Sequence, residues 1–445
     1  LVLIALGAAM AALPPVAGIP LAAYVSIGLL LVGGITALPW GVSLAYDRLA
    51  PHLAAHLLPL LAVERARRVR ETAAVAVSGV VASLSLAVAL TVMVASFRDS
   101  VTQWLDVVLP ADLYVRTAAG SSAGDAAFLD PGFVQAAAAV PGVVRSATQR
   151  VRMVQMDPAR APVALVARPI GDAARSLPLV GTALPVPSGR VGVYVSEAMV
   201  DLYGARTRAP LPRLQEAFGP GAPPLFVAGV WRDYARQSGA VMMDLDDYRR
   251  LSGDTRANDL MLWLAPQAPA GQVQAALRQL AAREGGTAGA LLEFSSAQEI
   301  RAVSLRIFDR SFAVTYWLQA VAIGIGLFGV AASFSAQVLA RRKEFGLLQH
   351  LGLTRRQVLG LVAAEGAAWT LIGSAAGLLL GLAVSIVLVH VVNPQSFHWT
   401  MDLLVPWLRL LALCAAVVVA GVATAWLAGR AAAGRDAVLA VKEDW

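Results

Sequence analysis

Roughly six stretches of about 20 mostly apolar residues recur along this 445-residue chain, each long enough to cross a bilayer as a helix. Lipid offers no hydrogen bonds to a backbone, so a stretch of this kind has helix as its solution unless it belongs to a closed barrel. The spans fall at Leu1–Ala17, Leu21–Tyr46, Ala73–Phe97, Ala313–Leu339, Leu359–Val392 and Leu404–Ala428. Only 15% of the residues are charged and mean hydropathy is +0.65, whereas a soluble domain carries about 25% charged residues. The expected class is therefore a multi-span α-helical membrane protein. Residues 1–46 would hold two spans, 73–97 one span, 313–339 one and 359–429 two.

The net charge of +7 is placed by these spans rather than by a nucleic-acid module. Arg65, Arg67, Arg68 and Arg70 precede the third span, Arg341, Arg342 and Lys343 follow the fourth, Arg355 and Arg356 precede the fifth, and Arg430 and Arg435 follow the sixth. Basic residues of this kind mark the cytoplasmic side. They share one side if residues 98–312 lie on the other. On this reading the segments 47–72, 340–358 and 430–445 and both termini are cytoplasmic, and the large segment is extracytoplasmic. No interleaving of basic and aromatic residues suggests nucleic-acid binding. Trp399 and His398, in the loop NPQSFHWTMD, are expected at the outer interface, where aromatic belts form. Cys414 lies inside an apolar run and has no partner for a disulfide or a metal pair. The chain opens directly in an apolar run, without a charged n-region or a small-residue cleavage site. It reads as the downstream part of a longer polypeptide rather than as a signal peptide.

The long segment 98–312 reads as a folded α+β domain. Short β-branched runs bounded by Gly, Pro or Asp predict strands at Asp112–Arg116, Val151–Gln155, Val163–Arg168, Val191–Ser196, Leu225–Trp231 and Ala240–Met243. Helices are predicted at Pro131–Ala139, Ser196–Leu202 and Gly271–Glu284, and Ala118–Ala127 reads as a loop. Helical spacing continues beyond the membrane at both ends of the domain. Val101, Trp104 and Leu105 carry it on one side, and Ile300, Ile307 and Phe308 on the other. These ends are expected to pair as a stalk formed by the two adjoining spans.

The segment Arg341–Gln357, RRKEFGLLQHLGLTRRQ, sits between two long apolar runs. Leu347, Leu348 and Leu351 place an apolar stripe on a short helix between basic flanks. Such a stripe either lies on the lipid surface or docks a cytoplasmic partner, and the residues alone leave both open. Gly373, Gly377 and Gly381 repeat at four-residue spacing, which allows close helix approach in lipid. Glu365 is an ionisable group near the cytoplasmic end of the same span and is expected to pair with a nearby Arg. His52 and His56 lack a third metal ligand, and Asp244, Asp246 and Asp247 lack the spacing of a calcium loop. All five His lie outside residues 98–312, which excludes a Ser-His hydrolase there. No G-x-x-x-x-G-K-[ST] occurs, so the chain carries no P-loop ATPase of its own.

The whole pattern resembles the FtsX-like permease family of ABC transporter membrane subunits, which includes macrolide-exporter, lipoprotein-releasing and cell-division members. The segment RRKEFGLLQHLGLTRRQ is similar to the family's coupling element. FDRSFAVT, the Gly373/Gly377/Gly381 ladder, AGRAAAGRDAVLAVKED and the outer stretches VYVSEAMVDLYG and LFVAGVWRDYARQSGAVMMDLDDYRRL also resemble family habits. The two spans before residue 47 resemble the linker of the ten-span branch, which makes this chain the linker plus the second repeat. His350 departs from the family's usual smaller or basic residue.

The resemblance implies a permease that couples ATP hydrolysis by a separate cytoplasmic ATPase, acting as a dimer, to movement of the extracytoplasmic domain. The chain is then not itself an enzyme and binds no cofactor directly, with ATP and Mg on the ATPase. Arg341, Arg342, Glu344, Phe345, Leu347, Leu348, Leu351, Gly352, Arg355 and Arg356 would form the docking element. The expected work is export or extraction of a hydrophobic or lipidated cargo from a bacterial inner membrane. Expected partners are the lipid bilayer, an upstream repeat or a second permease copy, and a periplasmic protein, with no nucleic acid. The alternative is a regulator that activates an envelope partner such as a cell-wall hydrolase without transporting a substrate.

Overall fold

The computed structural model describes residues 1–16, 18–53, 70–117, 128–284, 292–350 and 352–432. Contacts divide the chain into two compact units. The first comprises Leu1–Phe97, Arg310–Ser396 and Met401–Trp445, and the second comprises Arg98–Asp309 with Phe397–Thr400.

The first unit is helical. Its described helices are α1 (Val2–Ala11), α2 (Leu21–Leu53), the first part of α3 (Arg70–Val108), most of α10 (Ala297–Ala340), α11 (Arg342–His350), α12 (Arg355–Val387), α13 (Asn393–Phe397) and α14 (Trp407–Ala432). A π-helical turn at Leu388–Val392 joins α12 to α13. Five described helices are long and apolar enough to cross a membrane, within Leu21–Gly41, Val77–Val108, Ala297–Ala340, Arg355–Phe397 and Trp407–Arg430. The stretch of the expected first span holds α1, ten residues of the sequence given. Pro14 and Pro15 stand just beyond it. The buried cluster Val77, Val80, Val81, Leu84, Val88 and Val92 on α3 meets Val358, Val362 and Trp369 on α12 and Val417 and Ala425 on α14. The expected basic run Arg65–Arg68, together with His56, lies outside the described residues.

The second unit is built on a nine-stranded mixed sheet of order β4-β6-β5-β7-β3-β2-β8-β1-β9. Its strands are β1 (Leu113–Thr117), β2 (Val143–Val154), β3 (Val163–Arg168), β4 (Leu179–Val180), β5 (Val191–Ser196), β6 (Leu225–Trp231), β7 (Ala240–Asp244), β8 (Asp259–Leu264) and β9 (Leu292–Ser296). The long strand β2 joins two lobes, pairing with β3 through Arg150–Val154 and with β8 through Val143–Gln149. In the first lobe α4 (Pro131–Ala138) and α9 (Ala270–Glu284) cover β1 and β8 around Phe133, Leu260, Leu262 and Leu277. In the second lobe both sheet faces are buried. One carries Leu165, Val193, Val227 and Met243, the other Val166, Trp231 and Met242. Two faces covered in this way explain why these strands read as continuous apolar runs. Strands β8 and β9 and the first half of β2 had no alternation strong enough to mark them. The Val143–Gln149 part is largely polar, with Arg145, Ser146, Thr148 and Gln149 among its seven residues.

The helix following β5 is α6 (Glu197–Tyr203), which ends at Gly204 with φ +64°. α8 (Leu245–Ser252) is capped by Asp244, whose carboxylate accepts from the Asp246 backbone N–H. The acidic trio Asp244, Asp246 and Asp247 is therefore a helix start, where carboxylates complement the exposed N–H groups.

Candidate coupling helix and the Phe397–Thr400 loop

After Arg341 the chain forms the nine-residue α11 and reverses into α12 within a few residues. Gly352, at φ +97°, makes the reversal possible. Its N–H donates to Gln349 O at 3.1 Å, and the Leu353 N–H donates to Leu348 O at 3.1 Å. This is the paired closure of a Schellman end. Leu348 and Leu353 both pack against the helical core, adding the apolar contact that accompanies such an end. Two residues later Thr354 and Gln357 form a reciprocal capping box that opens α12. Sequence and local physics thus fix an elbow rather than a floppy loop.

Ionic and aromatic contacts hold the elbow to α12. Arg341 Nη1 donates to Glu365 Oε2 at 2.6 Å, and Arg341 Nε lies 3.2 Å from Glu344 Oε2. The Arg341 guanidinium also covers the Phe345 ring at 5.1 Å. Glu365 thus takes the Arg partner expected of it. Phe345 is fully buried, which corrects its expected place among the residues offered to a partner. Four residues after Arg341, it turns inward onto the helical core and serves as the elbow's anchor. Leu348 is half-buried, whereas Leu347 is 59% exposed, so neighbouring leucines divide between core and surface. Glu344, Gly352, Arg355 and Arg356 are exposed. Arg355 Nη2 donates to the Arg430 carbonyl at 3.3 Å, near the end of α14. Arg342 belongs to α11, and Leu351 lies outside the described residues.

The glycine ladder faces α3. A Cβ on Gly373 would come within 2.8 Å of Val77 Cγ1, one on Gly377 within 3.1 Å of Leu84 Cβ, and one on Gly381 within 2.6 Å of Val88 Cβ. Its spacing thus marks a close helix–helix contact.

The stalk ends pair antiparallel. Asp106 meets Arg301 at 2.6 Å, and Arg98 meets Asp309 at 3.5 Å. Val101, Leu105 and Phe308 are buried, and Trp104 and Ile300 are intermediate. Ile307, in the same stalk helix, is 62% exposed. It neighbours Phe308, which takes the inward position, and adjacent helical residues point about 100° apart.

A second constellation had no sequence signal. The four residues Phe397–Thr400 group with the α+β unit although the chain on either side of them belongs to the helical unit. Glu197 Oε2 accepts from the Thr400 backbone N–H at 2.9 Å, and Glu197 Oε1 accepts from Thr400 Oγ1 at 2.6 Å. Tyr234 OH donates to Thr400 O at 2.9 Å. The Tyr234 ring stands edge-on to Trp399 at 4.7 Å and to Trp104 at 5.8 Å. His398, at φ +60°, places Nδ1 3.3 Å from Asp201 Oδ2. Burial pushes the Glu197 carboxyl above its usual pKa, while both Thr400 contacts favour the charged form. Trp399 is buried against Tyr234 and stacks on Phe397 at 5.6 Å. The partners lie some 200 residues away in sequence, so no local spacing could reveal them.

Comparison with known proteins meets this geometry at the elbow. Residues 318–437 match the family model described as FtsX-like permease C-terminal. The matched stretch is similar to an FtsX-like permease C-terminal domain. It takes in α11, its Glu365 partner, the glycine ladder and the Phe397–Thr400 loop. Over 398 residues the chain is 30% identical to an uncharacterized ABC transporter permease protein of Mycobacterium tuberculosis. The match covers 86% of this chain and 45% of that relative, so the chain spans under half of the relative's length. Among solved structures, the periplasmic region of MacB from Actinobacillus actinomycetemcomitans is similar at 10% identity and a TM-score of 0.31. That match covers 45% of this chain and 94% of the other. The extracellular domain of the noncanonic ABC-type transporter YknZ from Gram-positive bacteria is similar at 12% identity and a TM-score of 0.27. It covers 42% of this chain and 98% of the other.

Proposed function

We propose that this FtsX-like permease domain and its inserted α+β unit act as part of the membrane subunit of an ABC transporter in a bacterial inner membrane. A separate cytoplasmic ATPase, binding ATP and Mg, would dock on the α11 elbow, and the α+β unit would work on the extracytoplasmic side. One observation carries the reading. The single helix α10 begins directly after β9, supplies the stalk residues that pair with α3, and ends at the elbow. Its 44 residues give a rise of about 66 Å, enough to carry a displacement from one side of a bilayer to the other. The elbow suits the receiving end. It is anchored inward by Phe345 and the Arg341–Glu365 pair, and it presents Leu347 between exposed charged residues. In this mechanism, closure of the ATPase dimer pushes the elbow and α10 transmits the push to the stalk. A hydrophobic or lipidated cargo suits a device that works outside the membrane rather than through a pore.

Co-purification of the full-length protein with its ATPase, followed by ATP hydrolysis in lipid, tests the proposal. Leu347→Asp is expected to abolish capture, because it places an unpaired charge in the contact while leaving the buried anchor intact. Glu365→Gln, which weakens the Arg341 pair, is expected to keep capture and uncouple hydrolysis from stalk movement. If wild-type protein captures no ATPase, or Leu347→Asp captures it undiminished, the docking role is wrong.

A further inference from the structure

A cavity of about 60 Å³ opens inside the α+β unit. Its lining includes Tyr114, Arg116, Arg168, Trp231, Arg236 and Asp259. Three guanidinium groups thus face one carboxylate. We propose that this cavity is a binding site for a small oxyanion, a phosphate, sulfate or carboxylate group.

The chemistry of Arg168 is the first argument. It ends strand β3 and is only 4% exposed. Its Nη2 donates to the Ser176 carbonyl at 2.6 Å, and its Nη1 donates to the Val108 carbonyl at 3.3 Å. Among the described residues no carboxylate pairs with it. A buried guanidinium ordinarily sits against a carboxylate, because neutral carbonyls return only part of the hydration it gave up. Val108 is the last residue of α3, and the partial negative charge of that helix end offsets some of the cation. A net deficit of negative charge remains. Burial, with the positive charge of Arg236 adding to it, holds the Arg168 pKa below its usual value.

The other lining groups sharpen the assignment. Arg236 is paired with Asp233 at 3.0 Å, and Arg116 lies 3.6 Å from Asp259. Asp259 accepts from Gln149 Nε2 at 3.0 Å, so the one carboxylate in the lining is already engaged. Burial raises its pKa, with Arg116 and Arg236 opposing the rise. Trp231 is 1% exposed, and its Nε1–H meets no acceptor among the described residues. An indole nitrogen can only donate, and a buried donor without a partner costs about 1–3 kcal/mol. A cation would worsen the charge balance, and a neutral apolar molecule would satisfy neither Arg168 nor Trp231. An oxyanion supplies several acceptor oxygens together with negative charge. A water needs about 10–15 Å³ of such space, so the cavity holds a group of only a few heavy atoms. Free inorganic ions and the end group of a larger molecule share this chemistry.

The test follows the indole signal of Trp231, assigned by its loss in Trp231→Phe, in the ¹H–¹⁵N spectrum of the full chain in lipid nanodiscs. Inorganic phosphate and glycerol 3-phosphate are titrated separately at constant ionic strength, with chloride as the balancing anion. A saturable shift of this signal alone is expected. Arg236→Gln should weaken the apparent affinity about tenfold, the effect of losing one charge-assisted contact, with the other indole signals in place. Saturation by inorganic phosphate alone assigns a free ion, and saturation by the ester as well assigns an end group. If neither moves the Trp231 signal, or chloride moves it equally, the oxyanion site is overturned. The site does not depend on the transporter reading, and the outcome bears on this cavity alone.

Discussion

Close approach in the helical unit is bought with missing side chains, whereas the α+β unit, at Arg150, buries charge and satisfies it. Gly373, Gly377 and Gly381 let α12 lie against Val77, Leu84 and Val88 of α3. Beside them, the Arg341–Glu365 ion pair at the elbow is a local exception. In the α+β unit Arg150 is 2% exposed and is held by Asp254 at 3.0 Å, Asn258 Oδ1 at 2.9 Å and the Val151 carbonyl at 2.7 Å. Arg256 reaches the same Asp254 at 2.8 Å. The difference follows from solvent. Lipid is as apolar as Leu, so helices in it gain by contact area and shape. A sheet domain in water can bury a cation if it brings the partners with it.

Three perturbations probe this contrast, and the largest effect is expected at Asp254. Asp254→Ala leaves the Arg150 guanidinium buried without its carboxylate and should destabilise the α+β unit by about 3–5 kcal/mol. Chemical denaturation of the full chain, followed by signals from that unit, measures it. A pH series sharpens the point. Hydrogen bonds from Arg256, and with them the pairing to Arg150, hold the Asp254 carboxyl well below its usual value of 3.8. With the folded pKa depressed, its contribution is fully present above that value and is lost as pH falls through the folded one. Acid should therefore erode the stability of the wild-type unit more steeply than that of Asp254→Asn. An unchanged acid profile would mean that the network contributes little.

Gly381→Leu addresses the opposite mode. Val88 Cβ and the Ser85 carbonyl leave no room even for a methyl group there, so overpacking should cost about 1–3 kcal/mol. Thermal unfolding in lipid should show the loss in the helical unit, with the α+β signals unmoved. If both units soften together, the two modes of burial are less separate than their chemistry implies.

The smallest effect is expected at Glu197, the carboxylate of the α+β unit that grips Thr400. Glu197→Ala removes two acceptors and should cost about 1–2 kcal/mol, spread over the loop. Hydrogen exchange at the Thr400 amide should accelerate, while the Arg150 network keeps its protection. No change in exchange would show that Tyr234 and the Trp399 contact hold the loop by themselves.

Much of this architecture was legible in the sequence because its causes are local. Apolar length marked the membrane-crossing helices, and the four-residue glycine spacing marked a close contact. Gly352 and the Thr354–Gln357 capping box, which only the structure brought out, close one helix and open the next at the elbow by equally local means. The runs Val163–Arg168 and Leu225–Trp231 were visible as strands because both of their faces are buried. At the candidate site, the Arg partner of Glu365 and the exposure of Leu347 were in line with local pattern. The inward turn of Phe345 was not, since a phenylalanine on a short amphipathic helix can face either side until its neighbours are in place.

What the sequence determined by itself was class and order: apolar helices, an inserted α+β segment between two stalk-forming helices, and a basic elbow before the last long helices. Tertiary structure alone decided which residues meet across long separations. It joined Glu197 to Thr400, Trp399 to Tyr234, and Arg168 to the last turn of α3, and it left Trp231 facing a cavity among guanidinium groups. The physical reason is range. Periodicity, capping and hydropathy act over one or two turns of chain, whereas buried polar partners are chosen by whatever the fold brings within about 3 Å.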